Sequence, residues 1–234
     1  MTRRTADALF LLCAALVFIP FVLCPPAYEA YKAFNAAHPF LMSFLKFALL
    51  ATSGEALGLR LRIGAYLQPG FGLTARAVYW GLFGLAIQAA FITFSAGAPL
   101  VLAKLGLSGA PAAFAGPGLG GLRVFTAFFV SLCMNLIFAP VLMVAHKVTD
   151  THITQNGGSA ACLLRPIPAG RILRELDWGV MGGFVFAKTI PFFWIPAHTV
   201  TFLLPPDQRA LFAALLGVAL GVLLSVAGTM AKRA

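Results

Sequence analysis

The stretch KTIPFFWIPAHTVTFLLPPDQR, from Lys188 to Arg209, is apolar enough to cross a bilayer but contains features that a simple spanning helix avoids. Pro191 and Pro196 each remove a backbone donor and clash with the carbonyl four residues earlier, which kinks or breaks a helix. In hydrocarbon the freed carbonyls need partners, so broken backbone is tolerated only where protein or a water-lined cavity covers it. The stretch therefore predicts a proline-broken span within a helical bundle.

The polar side chains of this stretch support two interpretations. Lys188, His198, Thr199 and Thr201 are available to bond the freed carbonyls, and Trp194 is placed to form an internal constriction. In the first interpretation the segment is a kinked helix that only packs against its neighbours. In the second it is a discontinuous segment that lines a pore or cavity, since irregular backbone at membrane depth is found at such places.

The composition of the chain indicates that it folds within a lipid bilayer. Of 234 residues, 60% are hydrophobic and 10% are charged, and the mean hydropathy is +0.91. A soluble domain of this length could not bury so much apolar surface in one core. The formal charge of +10 is therefore interpreted as a topology signal and a contact for anionic lipid headgroups, with no nucleic-acid partner. The four cysteines form no CxxC pair, which argues against a disulfide framework or a zinc site.

Windows of about 20 apolar residues, the length that crosses the hydrocarbon core, recur along a single integral membrane domain covering residues 1–234. We predict an all-α transmembrane bundle of about six spans, with the fifth broken by proline. The predicted spans are residues 9–24, 40–59, 77–102, 124–145, 180–204 and 210–230.

The distribution of lysine and arginine orients these spans, because cytoplasmic loops are enriched in both residues. With both termini cytoplasmic, eleven of the 17 basic residues lie on the inner side: Arg3, Arg4, Arg60, Arg62, Arg76, Lys147, Arg165, Arg171, Arg174, Lys232 and Arg233. This pattern predicts an integral protein of the bacterial inner membrane. A five-span alternative, with a re-entrant fifth segment, places Lys232 and Arg233 outside and weakens the bias.

The connections between spans are of two kinds. Residues 105–122 are rich in Gly, Ala and Pro and predict a flexible or extended outer loop. Residues 149–178 are polar, and the segment RPIPAGRILRELDW predicts a short amphipathic helix in the headgroup region. In that helix Arg171 and Arg174 would face lipid phosphates, while Ile172, Leu173 and Leu176 would face the acyl boundary.

Ionisable groups within the spans are the strongest functional signal, because a charge in hydrocarbon must face protein or water and usually has a purpose. Glu55 is the clearest case, since small polar residues surround it in ATSGEALGLR. A structural ion pair and a charge on a conduction pathway remain equally open for it. The candidates for a polar lining are Glu55, Lys46, Arg62, Asn135, Lys188, Trp194 and His198.

Two further patterns have both structural and functional interpretations. His146 and Asp150 lie at i, i+4 with His152 nearby, which is compatible with a metal ligand set but also with a basic pair capping a helix end. We favour the cap and predict no metal and no cofactor. Small residues recur at GxxxG spacing, which indicates packing within the bundle or homodimerisation. The pairs are Gly54 with Gly58, Gly179 with Gly183, and Gly217 with Gly221.

The order of motifs resembles the Mpv/PMP family of peroxisomal and mitochondrial inner-membrane proteins, which has bacterial relatives. The C-terminal part of the resemblance rests on Trp194, Pro196, Phe202, Pro205 and Arg209. The earlier part rests on Pro39, Gly54, Glu55, Arg76 and Pro140, with Met134 and Asn135 standing where the family has Asp-Gln. Some members look like weakly selective channels, so the resemblance implies a pore.

We expect a channel or transporter-like pathway for small solutes or ions. The alternative is a non-catalytic scaffold or assembly factor that binds another membrane protein or a second copy of the chain. A third interpretation, an intramembrane enzyme acting on lipid, lacks a nucleophile in a recognisable catalytic context. We therefore predict no enzymatic activity.

Overall fold

The computed structural model describes residues 3–231 and, within them, side chains through residue 222. Every regular element in that range is helical, which confirms the predicted all-α class. The helices are α1 (Arg3–Leu23), α2 (Pro25–Ala37), α3 (Pro39–Ile63), α4 (Leu73–Lys104), α5 (Ala110–Ala115), α6 (Gly121–Gln155), α7 (Ala169–Glu175), α8 (Trp178–Val180), α9 (Ile195–Leu203) and α10 (Pro206–Ala231). A 3-10 helix (Ala160–Leu164) precedes α7, and a π-helix (Met181–Trp194) joins α8 to α9.

Five segments of the described chain are long and apolar enough to cross a membrane. They are α1, α3, α4, α6 and the continuous segment Trp178–Leu203, and they match the first five predicted spans with ends extended by a few residues. The sixth predicted span, 210–230, lies within α10. Its side chains beyond residue 222 lie outside the described set, so its role as a span stays a prediction. Below, the inner end is the one where α3 ends and α4 begins, predicted to be cytoplasmic.

The predicted break in the fifth span is a change of helix type. The 14-residue π-helix contains Pro191 and continues directly into α9. A π-helix pairs each N–H with the carbonyl five residues earlier, and it occurs frequently at functional sites. The Thr199 and Thr201 hydroxyls donate to the Ile195 and Ala197 carbonyls, at 2.7 and 3.0 Å, rather than to the carbonyls four residues before Pro191 and Pro196. Lys188 is exposed and makes no such bond among the described residues.

Helix α3 is the centre of the bundle and packs against both α4 and α10. Its approach to α4 depends on Gly84, where an added Cβ would lie 2.6 Å from the carbonyl oxygen of Ser43. The Ser43 hydroxyl donates to the Gly84 carbonyl at 2.7 Å. On the other side of α3, a Cβ at Gly54 would lie 2.9 Å from Cα of Val218. The predicted small-residue contact at Gly54 therefore serves packing within the bundle.

Helix α1 lies at the edge of the bundle and contains no buried residue. At the inner end the Asp7 carboxylate accepts two bonds from Arg60, at 2.8 and 2.6 Å, and one from the Tyr66 hydroxyl at 3.0 Å. The Phe10 ring stacks on Tyr66 with centroids 4.7 Å apart. Burial and the bond to Asp7 raise the pKa of Tyr66 above its usual range. These contacts tie α1 to the turn between α3 and α4.

The two long connections are more ordered than predicted. The outer connection, expected to be flexible or extended, contains α5 and buries Ala110 completely. The predicted amphipathic helix is α7, but Ile172 and Leu176 pack against Val148 of α6 rather than facing lipid. The expectation was wrong on this point, because α6 extends to Gln155 and provides an apolar surface beyond the predicted span.

Candidate functional site

Glu55 forms a charge cluster across three helices at the inner end of the bundle. One carboxylate oxygen pairs with a terminal nitrogen of Arg76, one turn inside α4. The other accepts the indole N–H of Trp80 at 2.9 Å and lies 2.9 Å from Nε2 of His146 on α6. A carboxylate only accepts hydrogen bonds, so Nε2 of His146 carries a proton.

Arg76 is the hub of this cluster, because each edge of its guanidinium has a partner. One terminal nitrogen pairs with Glu55 and the other pairs with Asp150 of α6. Nε donates to the Phe71 carbonyl at 2.6 Å, and the guanidinium lies 4.8 Å from the centre of the Phe71 ring. The Arg76 side chain is 12% exposed, against 21% for Glu55 and 25% for Asp150. One cation is thus shared by two carboxylates in a largely buried place.

A cavity of about 600 Å³ starts beside the charge cluster and runs into the bundle. Its mouth includes the exposed residues Arg62, Gln68 and Thr154 at the inner end. Its far end includes the buried residues Asn135 and His198. Asn135 lies 15 residues before Asp150 on α6, so the cavity extends roughly 22 Å along that helix at 1.5 Å per residue. It ends near the middle of the membrane-crossing segments.

The cavity ends in a polar group that is separate from the charge cluster. The Asn135 amide nitrogen donates to the Ser131 carbonyl at 2.9 Å and faces Nδ1 of His198 at 3.1 Å. Nδ1 of His198 also lies 3.3 Å from the Asn135 amide oxygen, so it contacts both polar atoms of that side chain. The Trp194 ring lies 5.1 Å from the His198 ring, and its indole nitrogen is buried without a partner among the described residues.

Beyond this polar group, packed apolar side chains fill the outer half of the bundle. Phe91, Val130 and Phe202 are 4%, 0% and 0% exposed and belong to one apolar cluster with Ala98 and Ala127. The Phe91 ring meets Phe202 edge-on at 5.5 Å. The cavity therefore reaches exposed residues at its mouth and is closed towards the outer end.

Five of the seven sequence candidates line this cavity: Glu55, Arg62, Asn135, Trp194 and His198. Lys46 and Lys188 do not. Lys46 is buried on the other side of α3, where its ammonium group donates to Asn35 and lies 5.3 Å from the Tyr31 ring. Lys188 is exposed on the surface of the π-helix and is not among the lining residues.

Sequence reasoning missed the partners of Glu55. Arg76 was treated as an inner-loop charge, although α4 begins at Leu73 and contains it. His146 and Asp150 were weighed as a metal pair or a helix cap, but each bonds a member of the cluster instead. No group that would hold a metal ion is found among the described residues. The i, i+4 spacing shared by Arg76 with Trp80 and by His146 with Asp150 was the available signal.

The positions that carry the family resemblance have mainly structural surroundings. Pro39 begins α3, Pro140 lies within α6, Pro196 is in the first turn of α9 and Pro205 separates α9 from α10. Glu55, Arg76 and Trp194 line the cavity, while Phe202 is fully buried in the core.

Comparisons of the chain with family profiles, with curated proteins and with solved structures gave no match. The fold and site together define a polytopic helical membrane protein with an internal cavity. The resemblance to the Mpv/PMP family stays a prediction made from the motifs.

Proposed function

We propose that this protein provides a transporter-like pathway for a small solute or ion, without enzymatic activity. The supporting observation is the cavity of about 600 Å³ that opens at the inner end and stops at Asn135 and His198. Its volume is in the range of small-molecule sites. A closed outer half favours a pathway that opens to one side at a time over a continuously open channel.

The charge cluster supports the same proposal. Charged side chains within membrane segments are costly and commonly mark substrate or ion pathways. The cavity lining near its mouth carries fixed charges of both signs, on Glu55, Asp150, Arg76 and Arg62. A solute entering from the inner end therefore meets fixed charge first, then apolar wall, then the neutral polar group at Asn135 and His198.

Cysteine accessibility tests the one-sided cavity. In a variant without the native cysteines, Met143→Cys and Phe138→Cys sample the middle and the farther part of the cavity wall, at two partly exposed positions. Ala127→Cys is the control, since Ala127 is fully buried outside the cavity. A membrane-impermeant thiol reagent should label the first two variants from the inner side only. Labelling from the outer side, or equal protection of all three, would contradict the proposal.

Flux in proteoliposomes tests the role of Glu55. We expect Glu55→Gln to change the rate or pH dependence of potassium or sorbitol flux, because it removes a charge beside the mouth. Glu29→Gln is the matched control, since Glu29 is exposed on α2 and pairs only with Lys32 in the described structure. Equal flux in wild type and folded Glu55→Gln would remove Glu55 from the pathway.

Helix α1 favours a second candidate, an assembly role. It has no buried residue, and Leu16 and Val22 are 67% and 79% exposed. An apolar surface of this kind suits lipid or another membrane helix. Leu16→Cys in a cysteine-free background should then form a disulfide between two copies, whereas a purely lipid-facing helix would give only monomer.

The proposed location is the bacterial inner membrane, with both termini cytoplasmic and the basic inner loops in contact with anionic lipid. Reporter fusions at each terminus test this orientation. A periplasmic signal from the C-terminal fusion would support five spans instead of six.

A further inference from the structure

Arg209 is a buried cation at the outer end of the bundle, where α10 follows α9. It is 8% exposed. Its three nitrogens donate to the Ser95 hydroxyl at 2.9 Å, to the Phe202 carbonyl at 3.2 Å and to the Leu204 carbonyl at 3.1 Å. The guanidinium also lies 5.4 and 5.5 Å from the centres of the Phe114 and Phe202 rings. None of these partners carries a negative charge, so the hydrogen bonds are satisfied but no anion balances the cation.

Arg123 brings a second guanidinium to the same place. One terminal nitrogen donates to the Leu203 carbonyl at 3.1 Å, and the other donates to the Gly118 carbonyl. Its Nε is buried and has no partner among the described residues. The two arginines together bond three consecutive carbonyls, 202–204, so both lie against the carboxyl end of α9.

The charge at this place is unbalanced. The carboxyl end of a helix carries roughly half a negative charge, which leaves about 1.5 positive charges from the two guanidiniums. No ion pair of the described structure includes Arg123 or Arg209. An uncompensated buried charge is strongly unfavourable. A counter-anion from outside the chain would remove that cost.

The surface around Arg123 is apolar and exposed. Leu119, Leu122, Val124 and Phe125 are 72%, 38%, 37% and 45% exposed. A guanidinium among exposed apolar side chains, at the end of membrane-crossing helices, matches the junction between a lipid headgroup and its acyl chains. Arginine also suits phosphate particularly well, because its planar fork donates two parallel hydrogen bonds.

We propose that Arg123 and Arg209 form a phosphate-binding site at the outer end of the bundle. Its occupant is the phosphate of an outer-leaflet phospholipid, whose acyl chains lie along Leu119 and Phe125. The site is about a bundle length from the charge cluster and is independent of the proposed transport function. If the arginines only capped α9, stability would not respond to phosphate compounds.

The test measures the melting temperature of delipidated protein in detergent with three additions: phosphatidylglycerol, diacylglycerol of the same chains, and inorganic phosphate. Arg123→Gln is the test variant, and Lys104→Gln is the control, because Lys104 is an exposed cation at the end of α4. Phosphatidylglycerol should raise the melting temperature of wild type and Lys104→Gln by about 4 °C. Arg123→Gln should lose more than half of that shift.

The three added compounds distinguish a bound lipid phosphate from a bound free phosphate ion. A shift with phosphatidylglycerol but not with diacylglycerol or inorganic phosphate supports a lipid occupant. A shift with inorganic phosphate that Arg123→Gln abolishes supports the same site with a free anion. Equal shifts in wild type and Arg123→Gln, or no response to either phosphate compound, would overturn the proposal. If Arg123→Gln fails to fold, the wild-type protein is crosslinked to a photoactivatable phosphatidylglycerol instead. Crosslinks at residues 119–125 would support the proposal, and crosslinks only elsewhere would overturn it.

Discussion

Replacing Arg76 with glutamine isolates the contribution of the charge cluster to stability. The change leaves Glu55 and Asp150 as two carboxylates without their shared cation, each less than one-third exposed. Removing one partner of a buried ion pair costs about 3–5 kcal/mol. Partial exposure of both carboxylates, the remaining bonds from Trp80 and His146 to Glu55, and Lys147 at 4.0 Å from Asp150 place the expected loss at ~3 kcal/mol, the lower end of that range. For a chain of this size that loss lowers the melting temperature by roughly 6–12 °C.

A double-mutant cycle assigns the loss to charge rather than to packing. Combining Arg76→Gln with Asp150→Asn removes one of the two carboxylates that Arg76 neutralises. The double variant should therefore lose at least ~1 kcal/mol less unfolding free energy than the two single variants lose in sum. Arg62→Gln is the control, since Arg62 is exposed at the cavity mouth and should change stability by less than about 0.5 kcal/mol. The assay is SDS-induced unfolding in mixed micelles, followed by tryptophan fluorescence. Additive losses, or an Arg76→Gln variant as stable as Arg62→Gln, would refute the reasoning.

Two further outcomes are expected from the packing. Gly84→Val should destabilise the bundle by about 1–3 kcal/mol, because the new Cβ would meet the Ser43 carbonyl oxygen at 2.6 Å; Gly97→Val on the same helix meets nothing within 4 Å and should have a much smaller effect on the melting temperature. Cys162 is fully buried, and burial raises the pKa of its thiol, which lowers the reactive thiolate fraction in the folded state. With Cys162 as the sole cysteine, maleimide labelling should be several-fold slower in the folded protein than in SDS, and equal rates would contradict the buried placement.

The helical class and the membrane segments follow from hydropathy, because lengths of apolar sequence depend only on bilayer thickness. The same reasoning identified Glu55, since a carboxylate within a span is costly wherever its partner lies. It did not find Arg76 or His146, because hydropathy assigns charged residues to loops. In the structure α4 and α6 extend one or more turns beyond their predicted spans and carry these side chains to Glu55.

Lys188 was misplaced for a different reason. It was predicted to line the pathway because it is an ionisable residue within a span, but it lies on the exposed side of a π-helix. The residues of that helix that line the cavity are Phe184, Val185, Thr189 and Trp194, and Lys188 is not among them. The sequence does not predict the π-helical hydrogen bonding of this segment, because two prolines are compatible with a kink, a break or a wider helix.

The wider winding of this segment has a mechanical consequence. In an α-helix the ring of Pro191 would clash with the carbonyl four residues earlier, whereas the segment as it stands pairs N–H groups with the fifth preceding carbonyl. The proline therefore opposes a return to α-helical pairing, and the wider winding keeps Thr189 rather than Lys188 on the cavity wall.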